Sequence, residues 1–146
     1  MNTNNSFMKQ WFDGVEDFLE SSGEVARKDF LSCCAKRCSD SYPLALYKEA
    51  FSDGRSLPEA LKYLANNFDG FDYAVFSDRV ELSYSQCGCD LYKEGLITSV
   101  NLCQCSEASL LYIWEQIYGK GAVAVTTKKT IIGGNDSCLF EIRILK

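Results

Sequence analysis

The apolar residues change their spacing near the middle of the chain, and no other feature limits the fold as much. Before residue 70 they recur at helical intervals; after it they alternate as in strands. Phe7, Trp11, Val15, Phe18 and Leu19 follow i, i+4, i+8, i+11 spacing, one face of an amphipathic helix that Ser21-Ser22-Gly23 ends. A second helix is expected from Glu24 to about Cys38, with Val25, Phe30, Leu31 and Cys34 inward. Pro43 opens a short third carrying Leu44, Leu46, Tyr47 and Phe51. Ser56-Leu57-Pro58-Glu59 is a helix start with a capping box, before Leu61 and Leu64. Tyr73–Phe76 and Val80–Tyr84 then read as a hairpin joined at Ser77-Asp78. Cys87 to Val100 is expected to be loop with a short strand at Leu96-Ile97. Ser106 is expected to cap a helix that buries Leu110, Leu111, Ile113, Trp114 and Ile117 and stops at Gly119. Val123 to Ile132 and Leu139 to Leu145 close the chain as two strands around Gly133-Gly134-Asn135-Asp136. No repeat or linker divides the two halves, so residues 1–146 are expected to form one α+β domain, N-terminal helices packed on a mainly antiparallel sheet with one inserted helix.

The chain of 146 residues contains no histidine. That removes Ser-His-Asp and Cys-His catalysis, His-ligated haem and any zinc site that needs imidazole. A metal would have to be held by thiolates, carboxylates or backbone oxygens. The net charge of −5 and the lack of a basic stripe argue against nucleic acid and anionic membrane as partners. No apolar run reaches bilayer length, and Met1–Ser6 lacks the basic-then-apolar order of a secretory signal, so the expected location is cytoplasmic.

Against that background the eight cysteines carry the chemistry: Cys33, Cys34, Cys38, Cys87, Cys89, Cys103, Cys105 and Cys138. Cys87-Gly88-Cys89 and Cys103-Gln104-Cys105 are Cys-x-Cys pairs. In extended backbone residues i and i+2 leave one face, so two facing pairs can supply the four thiolates of tetrahedral zinc or a small iron–sulfur cluster. Cys34 and Cys38 form a second pair at i, i+4 on a helix, flanked by Lys36 and Arg37. Ligand-facing or reactive thiols and plain core packing are the competing readings, the last foremost for Cys33 and Cys138. Stable disulfides do not suit a reducing compartment.

Cys103, Cys105, Ser106, Trp114 and Glu115 lead to Gly119, then a strand, Gly133-Gly134 and Cys138-Leu139-Phe140-Glu141-Ile142. From Cys87 to Ile144 this pattern resembles the carboxy-terminal half of the small-molecule-binding domains related to the 4-vinyl reductase of bacteriochlorophyll synthesis. Sensor domains for hydrocarbons and phenols share that fold, and uncharacterised bacterial proteins carry similar cysteine pairs. The resemblance implies a small apolar ligand. Metal-binding members carry an acidic residue and a cysteine on the strand before the final hairpin. Here Val125–Thr130 has neither, and only Cys138 matches. Cys87, Cys89, Cys103 and Cys105 are therefore the replacement metal ligands, with Cys34, Cys38 and Cys138 as ligand-facing or reactive thiols.

Trp11, Tyr73, Tyr84 and Trp114 are candidates to line an apolar pocket between helices and sheet. Gly133-Gly134-Asn135-Asp136 is turn chemistry with no following helix, not a phosphate loop. The leading expectation is a small-molecule-binding module with a thiol-rich site and no established catalysis, acting as a homodimer or with a separate partner. Two rivals stand beside it. One is a thiol- or metal-dependent hydrolase resembling the amino-thiazoline-carboxylate hydrolases. The other is a structural or partner-binding protein with buried cysteines.

Overall fold

The computed structural model describes residues 3–145, with side chains from residue 7. Met1 and Asn2 of the polar amino-terminal segment, and Lys146, lie outside the described residues. Four helices come first: α1 (Thr3–Ser21), α2 (Glu24–Ser41), α3 (Pro43–Ala50) and α4 (Leu57–Asn67). The hairpin β1 (Phe71–Val75) and β2 (Val80–Tyr84) follows, then the four-residue α5 (Asp90–Lys93), a 3-10 turn at Val100–Leu102, and α6 (Cys103–Tyr118). β3 (Val123–Lys129) and β4 (Cys138–Ile144) complete one antiparallel sheet of order β1-β2-β4-β3. This is the expected α+β architecture.

The local signals held where they rested on several groups at once. Ser56 caps α4 with both halves of its box in place: Glu59 N–H donates to Ser56 Oγ at 3.4 Å, and Ser56 N–H donates to Glu59 Oε1 at 3.0 Å. The alternation of Phe140 and Ile142 buries both, while Arg143 stays exposed. Tyr84 pairs with Cys138 and Leu82 with Phe140, so the two hairpins join in a register that sends one set of side chains to a common core.

That core is filled, not hollow. Tyr47, Leu61, Leu64, Leu82, Trp114 and Ile142 are each buried almost completely. Trp114 stacks on Tyr118 at 5.8 Å between centroids and meets Phe51 and Tyr47 edge-on at 5.8 and 6.0 Å. A smaller second core joins Leu19 of α1, Leu31 of α2, Ile97 and Leu102.

Several expectations need correction. The inward face of α2 is Leu31, Ala35 and Ser39; Val25 is 75% exposed, and Phe30 and Cys34 are exposed too. Small residues decide this, because Ala35 and Ser39 let α2 lie close against α6, where Ser39 Oγ meets Ser109 Oγ at 2.6 Å. Leu96-Ile97 forms no strand; Ile97 is buried as an irregular segment in the second core. α6 begins at Cys103, three residues before the expected cap, after a turn in which Ser99 Oγ accepts from Asn101 N–H at 3.2 Å. Leu111 lies at its exposed edge. β3 stops at Lys129 past a bulge at Thr127/Lys129, so residues 130–137 form a loop. Thr130 Oγ1 accepts from Gly133 N–H at 3.0 Å, and Thr130 O accepts from Asn135 N–H at 3.1 Å, which folds that loop back on itself.

Leu82, on a central strand and fully buried, has no solvent side to relax into. Leu82→Ala is expected to lower unfolding free energy by about 2–5 kcal/mol, read as a lower urea midpoint with unchanged slope.

Candidate functional site

Seven of the eight cysteines come from four places in the chain and fall into two electrostatically linked groups around the first turn of α6. Cys34 and Cys38 lie on α2, Cys87 and Cys89 on the segment after β2, Cys103 and Cys105 on the first turn of α6, and Cys138 at the start of β4. Their charges act on one another in two overlapping sets: Cys105 feels Cys38, Cys89, Cys34 and least of all Cys103, whereas Cys103 feels Cys138, Cys87 and Cys89. Cys38 in turn feels Cys89 and Asp90. Cys89 is therefore the hub between an α2-side group and a β4-side group. Cys33 is exposed on α2.

The helical start of α6 changes what a Cys-x-Cys pair can do. In extended chain Cys103 and Cys105 would share a face; at about 100° per residue they point roughly 200° apart. One turns to the sheet and the other to α2. The expected quartet of Cys87, Cys89, Cys103 and Cys105 is thus split between the two groups. Among the described residues no three Cys, Asp or Glu side chains converge on a point where one metal ion would sit. The chemistry of the donors suits a soft ion, but their present positions do not.

Burial sets the charge state of the thiols. It pushes Cys103 up to about 11, against a hydrogen bond with Thr130 that works the other way. It pushes Cys105 up to about 12, with the neighbouring thiols adding to the rise. Cys34, Cys38 and Cys87 are raised for the same first reason. Lys36 and Arg37 do not reverse that for the helix pair. At neutral pH these five sulfurs are thiols, and a nucleophile of the lowered-pKa kind needed for hydrolysis is not among them. Cys138, buried, accepts a hydrogen bond from Ile131 N–H at 3.3 Å.

Beside the β4-side group lies an open cleft of about 670 Å³ lined by Ser85, Gln86, Cys87, Tyr92, Lys93, Thr98, Ile131, Asn135 and Asp136. Most of these groups are polar, and a lysine and an aspartate are among them. Sequence reading missed Lys93, Asp136 and Thr130; the turn residues at Gly133–Asp136 marked a loop, but nothing local showed what the loop would face. The expected apolar pocket is not at its proposed place. Trp11 is 60% exposed on α1, Trp114 is enclosed in the core, and neither these nor Tyr73 and Tyr84 line this cleft. A second hollow, of about 170 Å³, lies at the β1–β2 turn against Leu57, Phe76 and Arg79, again away from those four.

Deeper in the core, Tyr47 Oη and Trp114 Nε1 are buried with no hydrogen-bond partner among the described residues. Burial raises Tyr47 to about 12 and Tyr84, beside it, well above the ordinary phenol value. No helix among the described residues is long and apolar enough to cross a membrane.

No protein-family model matches the chain, and no curated protein matches it. Among solved structures, 98% of the chain aligns with 96% of a trafficking protein particle complex subunit 3 from Naegleria fowleri covalently bound to palmitic acid, at 13% identity and a TM-score of 0.47. That likeness gives this chain neither a family nor a ligand.

The raised thiols have two measurable consequences. With iodoacetamide near neutral pH, exposed Cys33 is expected to alkylate before Cys103 and Cys105, whose rates rise about tenfold per pH unit until their own titration. Above the ordinary thiol value of 9.0 the unfolded chain releases protons that Cys103 and Cys105 keep in the fold until about 11 and 12. Unfolding free energy is therefore expected to fall as pH rises through that window, and urea midpoints at successive pH values check it.

Proposed function

We propose that the protein is a small-molecule-binding module whose ligand occupies the cleft at Cys87 and is recognised in part by sulfur. What supports this reading is that Cys87 lines an open cleft and lies within electrostatic range of Cys89, Cys103 and Cys138, the last two from other parts of the chain. Cysteines buried only to fill space need not gather, and a core can disperse them. The lining gives the ligand its character. Tyr92 and Ile131 offer apolar contact, while Lys93, Asn135 and Asp136 offer charge and hydrogen bonds. That favours a molecule with an apolar body and polar substituents over a plain hydrocarbon. Neutral thiols suit it, because they add polarisable surface without placing charge beside the ligand.

A soft metal ion is the second reading, and one observation favours it. Cys38, Cys89 and Cys105 are mutual electrostatic neighbours drawn from α2, the segment before α5, and α6. As placed they do not converge on one point, so an ion would have to draw the three together. Binding there would release the protons that burial holds on Cys38 and Cys105, so affinity would rise with pH. Elemental analysis after oxygen-free purification separates the readings: zinc or iron at one equivalent, lost in Cys89→Ser and kept in Cys87→Ser, supports the metal.

For the leading reading the probe is phenylarsine oxide, an aromatic ring on an arsenic that closes on two neighbouring thiols. It is expected to bind at one equivalent, raise the thermal midpoint as ligand binding to the folded state requires, and protect Cys87 from alkylation. Cys87→Ser and Lys93→Ala should each weaken binding about tenfold or more, the equivalent of about 1.4 kcal/mol. Reaction confined to exposed Cys33 and Cys34, with no change in midpoint, would sink the proposal.

A further inference from the structure

The first helix carries an aromatic stripe on its outer side that the chain does not cover. Phe7 is 68% exposed, Trp11 60% and Phe18 40%. Phe30 of α2, 38% exposed, extends the stripe, its ring 5.6 Å edge-on from Phe18. At 100° per residue Phe7, Trp11, Gly14 and Phe18 fall within an arc of about 60°. Gly14 thus sits at one edge of the arc, between Trp11 and Phe18 along the helix axis. A Cβ built on it would meet nothing within 4 Å, and it is not among the glycines with positive φ. Nothing inside the chain therefore requires glycine there, although a mid-helix glycine weakens a helix relative to alanine. Between Trp11 and Phe18 it leaves a notch.

We infer that this face is the interface of a symmetric homodimer, in which α1 of one copy crosses α1 of the other near Gly14. A two-fold axis there sets each copy's aromatic knobs over the other's notch, so one patch is its own complement. The area agrees. At about 200 Å² for a whole aromatic side chain, the four rings leave roughly 400 Å² open. A standard interface takes about 800 Å² from each partner, a little over half of it apolar, or roughly 450 Å². A membrane is the poorer occupant. Asp13, Asp17 and Glu20 lie to one side of the stripe on the same helix, and the chain carries −5 overall, the wrong sign for anionic lipid. α1 also makes few attachments of its own, held mainly through Leu19 in the second core, by Thr98 N–H donating to Glu16 at 2.6 Å, and by Asn101 Nδ2 donating to Leu19 O at 3.1 Å.

Sedimentation equilibrium of the full chain tests this, alongside tryptophan emission over the same concentrations. Trp114 is already buried, so a blue shift with concentration reports Trp11 leaving water. The wild type is expected to be a dimer. Trp11→Glu and Gly14→Leu should each weaken self-association at least tenfold with circular dichroism unchanged, because both positions face outward. Gly14→Ala separates helix stability from packing: it should strengthen the isolated helix, so weaker association in that variant can come only from the filled notch. Leu145→Ser, at a residue 59% exposed elsewhere, should change nothing. A wild type that stays monomeric at every concentration, or a dimer that survives both Trp11→Glu and Gly14→Leu, would overturn the inference.

Discussion

The contact between α2 and α6 is what the site depends on. It is close because its residues are small: Ala35 and Ser39 on one helix face Ser109 on the other, and the two serine hydroxyls meet at 2.6 Å. Ser39 also donates to Ala35 O at 2.8 Å when it is not donating across, so the buried hydroxyls have partners available on both sides. This approach brings Cys34 and Cys38, one turn apart on α2, toward Cys105 on the first turn of α6. A bulky side chain at Ala35 or Ser39 would part the helices and with them the thiols. On its other side α6 packs on β3, the neighbour of the strand that carries Cys138. One helix therefore ties both thiol groups to the sheet.

Partial burial then gives those sulfurs a common character. Removing a thiolate from water costs more than removing a thiol, and close neighbours of the same sign add to the cost, so Cys103 and Cys105 hold their protons to about 11 and 12. Such groups are quiet toward electrophiles at neutral pH and polarisable toward a ligand. They become strong donors only when something takes the proton's place. The cleft carries the opposite kind of chemistry in Lys93 and Asp136, with Cys87 in its lining as well.

The two cores divide the labour. The larger one, closed by Tyr47, Trp114, Phe140 and the leucines of α4, holds the sheet to α3, α4 and α6. The smaller one, around Leu19, Leu31, Ile97 and Leu102, pins α1 and the irregular segment before α6. That segment carries Cys87 and Cys89, which makes the positions of both depend on a handful of aliphatic contacts. On the sheet's outer face, burial pushes the Glu141 carboxyl up, but Lys128 and Arg143 overcome it and hold the group below the ordinary value. The antiparallel ladder thus has its own charge pairing away from the thiols.

The sequence by itself determined the four leading helices, the α4 cap, both hairpins and the helix between them, but neither α5 nor the irregular course of Leu96-Ile97. These follow from interactions a few residues apart, or from a period that only one element satisfies. It also determined, through the missing histidine, that imidazole has no part in any ligand or catalytic chemistry. The face that α2 buries was not legible, because Val25, Phe30 and Cys34 are as apolar as Leu31 and only the neighbouring helix could favour the small residues. Nor was the exposure of Trp11: a helical stripe looks the same whether it meets this chain, another copy or water. Cys-x-Cys meant a shared face only if the backbone was extended, and α6 starting at Cys103 separated the second pair. Which thiols meet was left to the tertiary structure, since their partners lie tens of residues away and cysteine carries no local pattern that names them.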